Sequence, residues 1–172
     1  MKKKMTIADL NAADEATFVG LLGNIFEDSP WIAAAAWKRR PFGDRDALLR
    51  AMTAIVDEAS PERRTALIAA HPDLVGKAAR EGRLSAASRD EQASAGLDRL
   101  EPDEVEEFGT LNAAYRERFG LPFVICVREN RKAAILAGMR ERLRNGREAE
   151  IGAALREIVA IARLRLADMV SP

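Results

Sequence analysis

Apolar residues recur every three or four positions along most of the chain, the period of helices that bury one face. Asn11, with Asp14 and Glu15 after it, predicts a capped helix carrying Phe18, Leu21, Leu22 and Ile25 inward. Ser29-Pro30 predicts a short helix through Trp37, and Arg39-Arg40-Pro41-Phe42-Gly43 a loop. Asp44 caps a helix whose inner stripe is Leu48, Leu49, Met52, Ile55 and Val56. Ser60-Pro61-Glu62 starts another over Arg63–Ala70, with Leu67 and Ala70 facing the core. The segment His71–Leu84 holds Pro72, Gly76 and Gly82 and reads mostly as loop. Ser88-Arg89-Asp90-Glu91 has capping-box spacing and opens a short helix ending near Gly96. Pro102 opens the next, with Val105, Phe108, Leu111, Tyr115 and Phe119 inward and Gly120 as its stop. Leu121–Val127 is a continuous apolar run with no second strand to pair with, so it reads as a buried extended connector. Asn130 caps a helix to about Arg144, and Glu148–Val170 is a long last helix with Ile151, Leu155, Ile158, Leu166 and Met169 inward. The expected fold is all-α, a single-domain bundle of about eight helices with one buried extended connector.

Composition narrows the function classes. At 172 residues the chain is expected to be one domain with its core over about 7–170. Apolar residues make up 48% and charged residues 31%, the balance of a globular protein. The 27 Lys and Arg cancel the 27 Asp and Glu, which argues against nucleic acid as a partner. No apolar run reaches the ~18 residues of a membrane span. The basic start Met1–Met5 is not followed by a signal-peptide core, and the final Met169-Val170-Ser171-Pro172 is not a peroxisomal address, so the expected location is cytoplasmic. A single cysteine, Cys126, and a single histidine, His71, leave no internal disulfide and no Cys/His metal cluster.

That histidine precedes Pro72, whose ring pushes residue 71 out of helical conformation, so the helix before it must stop there. An imidazole at a helix C-terminus is favoured as the cation and suits general acid–base work; the plainer reading is a capping or surface histidine. Ser88 and Glu91 likewise have two readings, a capping box or polar groups at a helix start that hold a polar ligand. The connector Phe123–Val127 offers main-chain N–H and C=O groups that no helix consumes, and buried peptide groups need partners. Arg163 and Arg165 sit beside core positions of the last helix. They read as two snorkelling arginines or as one buried guanidinium paired with a carboxylate.

Several blocks together resemble the OHCU decarboxylases (2-oxo-4-hydroxy-4-carboxy-5-ureidoimidazoline decarboxylases) of urate degradation, over roughly Ile7 to Val170. They are Phe26-Glu27-Asp28-Ser29-Pro30-Trp31 with Arg40-Pro41-Phe42, His71-Pro72-Asp73-Leu74 with Gly76-Lys77, and Ser88-x-x-Glu91-Gln92 with Ala95-Gly96-Leu97. Leu111-Asn112 with Tyr115, the run Phe119–Arg128, and Leu164-Arg165-Leu166 complete the set. One position departs, Leu121 standing where the family commonly has phenylalanine, a volume change in an apolar wall.

The resemblance implies an all-helical homodimer that converts OHCU to (S)-allantoin and CO2 without cofactor or metal. It implies that His71 is the proton donor and that Pro72 borders the pocket. Ser88, Arg89, Asp90, Glu91 and Gln92 would contact substrate, with Glu91 also the catalytic partner of the histidine. Phe123, Val124, Ile125, Cys126 and Val127 would contribute main-chain contacts. Arg165 would be the guanidinium of the site, chosen over Arg163 because it lies in the Leu-Arg-Leu block. Two other functions stand beside this one. One is a non-catalytic helical interaction module with Trp31, Trp37 and Phe42 as surface anchors; the other is a lyase or hydrolase of a related ureido compound.

Overall fold

Short polar side chains start most of the helices of this computed structural model, which describes residues 4–172; Met1–Lys3 of the basic start lie outside them. Among the described residues there are ten α-helices: α1 (Ile7–Ala12), α2 (Glu15–Leu22), α3 (Pro30–Trp37), α4 (Arg45–Glu58), α5 (Pro61–Ala69), α6 (Lys77–Arg80), α7 (Ala86–Ser94), α8 (Pro102–Phe119), α9 (Lys132–Arg142) and α10 (Arg147–Met169). α1 and α6 are single short turns and the other eight are the expected set. Among the described residues the only β pairing is an isolated bridge between Met5 and Val170, so the fold is all-α.

The chain gathers into two compact units. One holds the residues up to Ala70 together with Val159–Pro172; the other is His71–Ile158. In the first, α2 packs on α3 and α3 on α4 around Phe18, Leu22, Ile32, Ala36, Leu48 and Met52. Asp14, Asp44 and Ser60 cap α2, α4 and α5 through the N–H groups of Thr17, Ala47 and Arg63. Asn11 is not the cap of α2. It lies inside α1, and its amide exchanges two 2.9 Å hydrogen bonds with the backbone of Phe42, pinning the loop before α4. Ser29 makes no side-chain cap; Pro30 alone supplies the preset first turn of α3.

The aromatic anchors of the interaction-module reading are used internally. Phe42 is buried and stacks on Phe18, while Trp37 donates its indole N–H to Ala13 and lies under the Arg40 guanidinium.

In the second unit, α8 packs on α9 and turns Phe108, Asn112, Tyr115 and Phe119 inward. Asn112 takes the inner position expected of Leu111, one residue further along the helix. Gly120, at φ 67, ends α8 in the left-handed conformation that costs glycine least. Residues 121–127 follow as an irregular run, every one of them buried, which is the expected connector. A 3₁₀ turn, Val127–Glu129, closes it, and α7 packs against that turn. Asn130 does not cap α9. Arg131 holds that position, and the Asn130 amide bonds back to Cys126 C=O at 2.9 Å.

Candidate active site

His71 is 6% exposed, a buried imidazole rather than a surface one. It follows the end of α5, where Ala70 is the C-cap and Pro72 prevents further helix. The loop after it is held at each residue in turn. Arg116 donates to the Asp73 carboxylate at 2.9 Å, Asn112 Nδ2 donates to Leu74 C=O at 2.8 Å, and Val75 N–H donates to Gln92 Oε1 at 3.1 Å. Val75 itself sits at φ 54, which costs a β-branched residue about 1–3 kcal/mol and persists only when the surroundings fix it. The turn closes on Gly76, where an added Cβ would come within 2.7 Å of Asp73 Cβ. The backbone that carries the histidine is therefore strained and clamped by two buried amides.

α7 begins three residues earlier than its capping-box pattern suggests. Ser85 is the cap, accepting from the N–H of Ser88, so Ser88 lies in the first helical turn and is 5% exposed. Ser88, Glu91 and Gln92 stand three and four residues apart and share one face of the helix. Ser88 and Gln92 are buried there and Glu91 is half-buried. Arg89 and Asp90 do not join them. Both are exposed and pair with each other at 3.5 Å, and they line a groove of about 500 Å³ that Val75 and Gln92 line as well.

The connector leads into the 3₁₀ turn on which α7 packs. Val124 C=O accepts from Arg142 Nη1 at 2.7 Å, Cys126 N–H donates to Glu157 Oε2 at 2.8 Å, and Cys126 C=O accepts from Asn130. Among the described residues no protein group bonds the N–H or C=O of Phe123 or Ile125. The tie between Val75 and Gln92, together with the packing of α7 on the 3₁₀ turn, brings the histidine loop, α7 and the connector's end into one neighbourhood. Among the described residues no group of three or more His, Cys, Asp and Glu is placed to hold a metal ion, and no helix is long and apolar enough to cross a membrane.

Arg165 belongs to the other unit. It is 6% exposed, while Arg163 lies on the outer face of α10, so the helix itself chooses between the two arginines. Arg165 Nη1 donates to Glu27 Oε2 at 2.8 Å and to Asn24 C=O at 3.3 Å. The carboxylate partner is thus Glu27, 7% exposed, which periodicity did not single out. Its signal was an acid inside an otherwise apolar and turn-forming block, next to Asp28 at φ 42.

Behind the connector lies a buried polar hub. Glu150 is 0% exposed and accepts from Arg142 Nε at 2.6 Å, from Asn145 Nδ2 at 3.0 Å and from the Tyr115 hydroxyl. Burial pushes the Tyr115 phenol well above its ordinary range, and the hydrogen bond to Glu150 and that group's charge add to the rise. The Cys126 thiol is pushed up to about 11, first by burial and then by the charge of Glu129. A raised pKa means that the unfolded group loses its proton first as pH climbs. The stability it contributes is complete below the unfolded value and is lost through the folded one. Thermal midpoints are therefore expected to hold steady up to about pH 8.5 and to fall from there, with the phenol adding its loss above about pH 10. A pH series of melting curves checks this; Tyr115→Phe should flatten the upper part of the fall.

Comparison with known proteins identifies the family. The sequence model of the OHCU decarboxylase family matches residues 11–167. The chain is 40% identical over 169 residues to 2-oxo-4-hydroxy-4-carboxy-5-ureidoimidazoline decarboxylase of Halalkalicoccus jeotgali, covering 98% of this chain and 94% of that one. It is 38% identical over 166 residues to the Mus musculus enzyme of the same name, covering 96% and 93%. Among solved structures, an (S)-allantoin synthase superposes with a TM-score of 0.77 at 30% identity. That match covers 96% of this chain and 54% of the other, so this chain spans about half of the synthase. An OHCU decarboxylase crystallised with (S)-allantoin shares the fold, with a TM-score of 0.68 at 19% identity over 91% and 97% of the two chains. The chain belongs to the OHCU decarboxylase family, a family of carbon–carbon lyases.

Proposed function

We propose that this protein decarboxylates OHCU to (S)-allantoin and CO2 in urate degradation, with His71 as the general acid that fixes the product's configuration. OHCU carries its carboxylate on a carbon adjacent to a ring C=N. When the C–C bond breaks, its electron pair moves into that imine and leaves an enediamine-like intermediate with CO2 as the leaving group. One proton then adds to the neighbouring ureido-bearing carbon, the former imine carbon, while the hydroxyl on the carbon that lost CO2 gives up its proton and becomes the new C=O. The ring is its own electron sink, so the protein's task is to hold the carboxylate out of the ring plane and protonate one face.

The observation that carries this reading is the environment of His71. The chain's one histidine is buried on a strained loop that Gln92 and Asn112 clamp. Rigid placement suits a proton donor that must choose between two faces of a flat ring. In this reading Glu91 supplies the charge that favours the imidazolium, Ser88 and Gln92 orient substrate polar groups, and Pro72 borders the pocket. Of the connector, Phe123 and Ile125 offer free peptide groups, while Val124 and Cys126 serve as its tethered side. Val127 closes that stretch. Arg165 is assigned to the reaction through its place in the Leu-Arg-Leu block and orients the ureido and ring oxygens. Arg89 and Asp90 reach substrate polar groups from the groove that they share with Gln92. The enzyme works as a cytoplasmic homodimer.

The test is time-resolved chiral detection of allantoin from freshly generated OHCU, with and without the protein. Faster formation of the S enantiomer in excess is the expected result. A racemic product at the uncatalysed rate would leave only the interaction-module reading, and a related ureide consumed in preference would select the other lyase or hydrolase.

A further inference from the structure

The peptide groups of the connector are gripped from one side. In an extended chain successive residues turn their N–H and C=O toward opposite edges. Arg142 holds Val124 C=O at 2.7 Å and Glu157 holds Cys126 N–H at 2.8 Å, so the even-numbered residues are tied back toward α9 and α10. The odd-numbered Phe123 and Ile125 then present their groups to the other edge, unclaimed by protein among the described residues. One residue's N–H and C=O on one edge form a donor and an acceptor side by side, which matches the adjacent C=O and N–H of a ureide.

Arg142 is itself fixed. Its Nε donates to the fully buried Glu150 at 2.6 Å, and its guanidinium lies 4.4 Å from the centre of the Phe123 ring. Glu150 is anchored in turn by Asn145 and Tyr115. A buried ion pair of this kind adds little net stability over an apolar pair of the same size. Its value is geometric, since a guanidinium held at Nε by Glu150 and at Nη1 by Val124 and laid over a ring has one orientation.

We propose that Arg142 and Glu157 are positioning residues of the decarboxylase, setting the free peptide edge of Phe123 and Ile125 to receive the ureide edge of the substrate. The proposal rests on the decarboxylase reading and on the connector's part in it. Neither side chain is assigned any proton transfer, so loss of either should loosen binding and leave the chemistry's pH dependence alone.

Glu157 gives the cleaner variant, being half-buried and outside the Glu150 hub. Glu157→Leu removes the acceptor for Cys126 N–H, and Glu157→Gln keeps a neutral one. KM for OHCU should rise about tenfold in the first and return to within about twofold of wild type in the second, with the pH profile of kcat unchanged in both. The double variant Arg142→Met/Glu150→Leu removes the buried pair together and should show the same rise in KM. If it fails to fold, the Glu157 pair still decides. The amide resonance of Ile125, followed by NMR during titration with (S)-allantoin, separates the two levels of the argument. A silent Ile125 amide in wild type means that the connector does not bind the ureide, and both ideas fall. An amide that responds in wild type, with KM unmoved in Glu157→Leu, overturns the positioning role alone.

Discussion

Replacing the imidazole by a carboxamide, His71→Asn, is expected to lower kcat for OHCU about 10²–10⁴-fold and to leave the melting temperature within a few degrees of wild type. The activity loss follows from removing the proton donor. Asparagine has a donor N–H but no proton to give at neutral pH, so protonation of the intermediate falls to water. Water reaches both faces, and the enantiomeric excess should fall along with the rate. The small stability change follows from where the loop is held. Its ties through Asp73, Leu74 and Val75 to Arg116, Asn112 and Gln92 stay in place, and asparagine keeps a polar side chain of similar reach at residue 71. Circular dichroism and chiral chromatography on the same preparation read the two quantities. Undiminished formation of (S)-allantoin would remove His71 from the mechanism. The companion variant Glu91→Gln sharpens the assignment. It should lower the apparent pKa that governs kcat, because the imidazolium loses its favouring charge. A pH profile identical to wild type would show that Glu91 acts otherwise.

Most helices were legible because their signals are local. Asp44 and Ser60 cap what they were expected to cap, Pro30 and Pro102 open helices, and Gly120 ends one. The buried connector was legible for a related reason: seven residues with no polar face have nowhere to go but inside, and no second strand existed to pair with them. Errors came where two local signals compete. Asn11 and Asp14 are both good caps; the nearer one won, and Asn11 was left to bind Phe42 across 31 residues of sequence. Ser85 and Ser88 compete in the same way. The earlier serine caps α7, which carries Ser88 into the helix and the interior.

The candidate site was legible in its residues but not in its supports. The block that holds Arg89 and Asp90 does not show that the helix turns these two toward solvent while Ser88 and Gln92 face inward. The clamps of the histidine loop, Gln92 on Val75 and Asn112 on Leu74, join residues 17 and 38 positions apart, and no local pattern encodes such a pairing. The choice between Arg163 and Arg165 depended on the phase of α10 against its core. Ile161 and Ala162, one turn before Arg165 on the same face, are both buried and draw it inward.

The pair formed by Arg165 and Glu27 separates stability from catalysis. Both side chains are buried, so removing one leaves a charge without its partner where water is scarce. Glu27→Ala is therefore expected to cost about 3–5 kcal/mol, enough to bring a domain of ordinary stability near unfolding at 37 °C. Removing both charges is a different matter. In Glu27→Gln/Arg165→Met the buried cation is gone, methionine fills much of the arginine's apolar volume, and most of the lost stability should return, to within about 1–2 kcal/mol of wild type. The function should not return with it. If Arg165 stabilises charge on the substrate as it decarboxylates, a folded protein without that guanidinium stays about 10²–10³-fold slow, as sites do when one preorganised donor is lost. Urea denaturation gives the first quantity and the chiral allantoin assay the second. Were the double variant to recover both, the ion pair would be a structural element of its own unit, and the guanidinium of the reaction would have to be sought elsewhere in the chain.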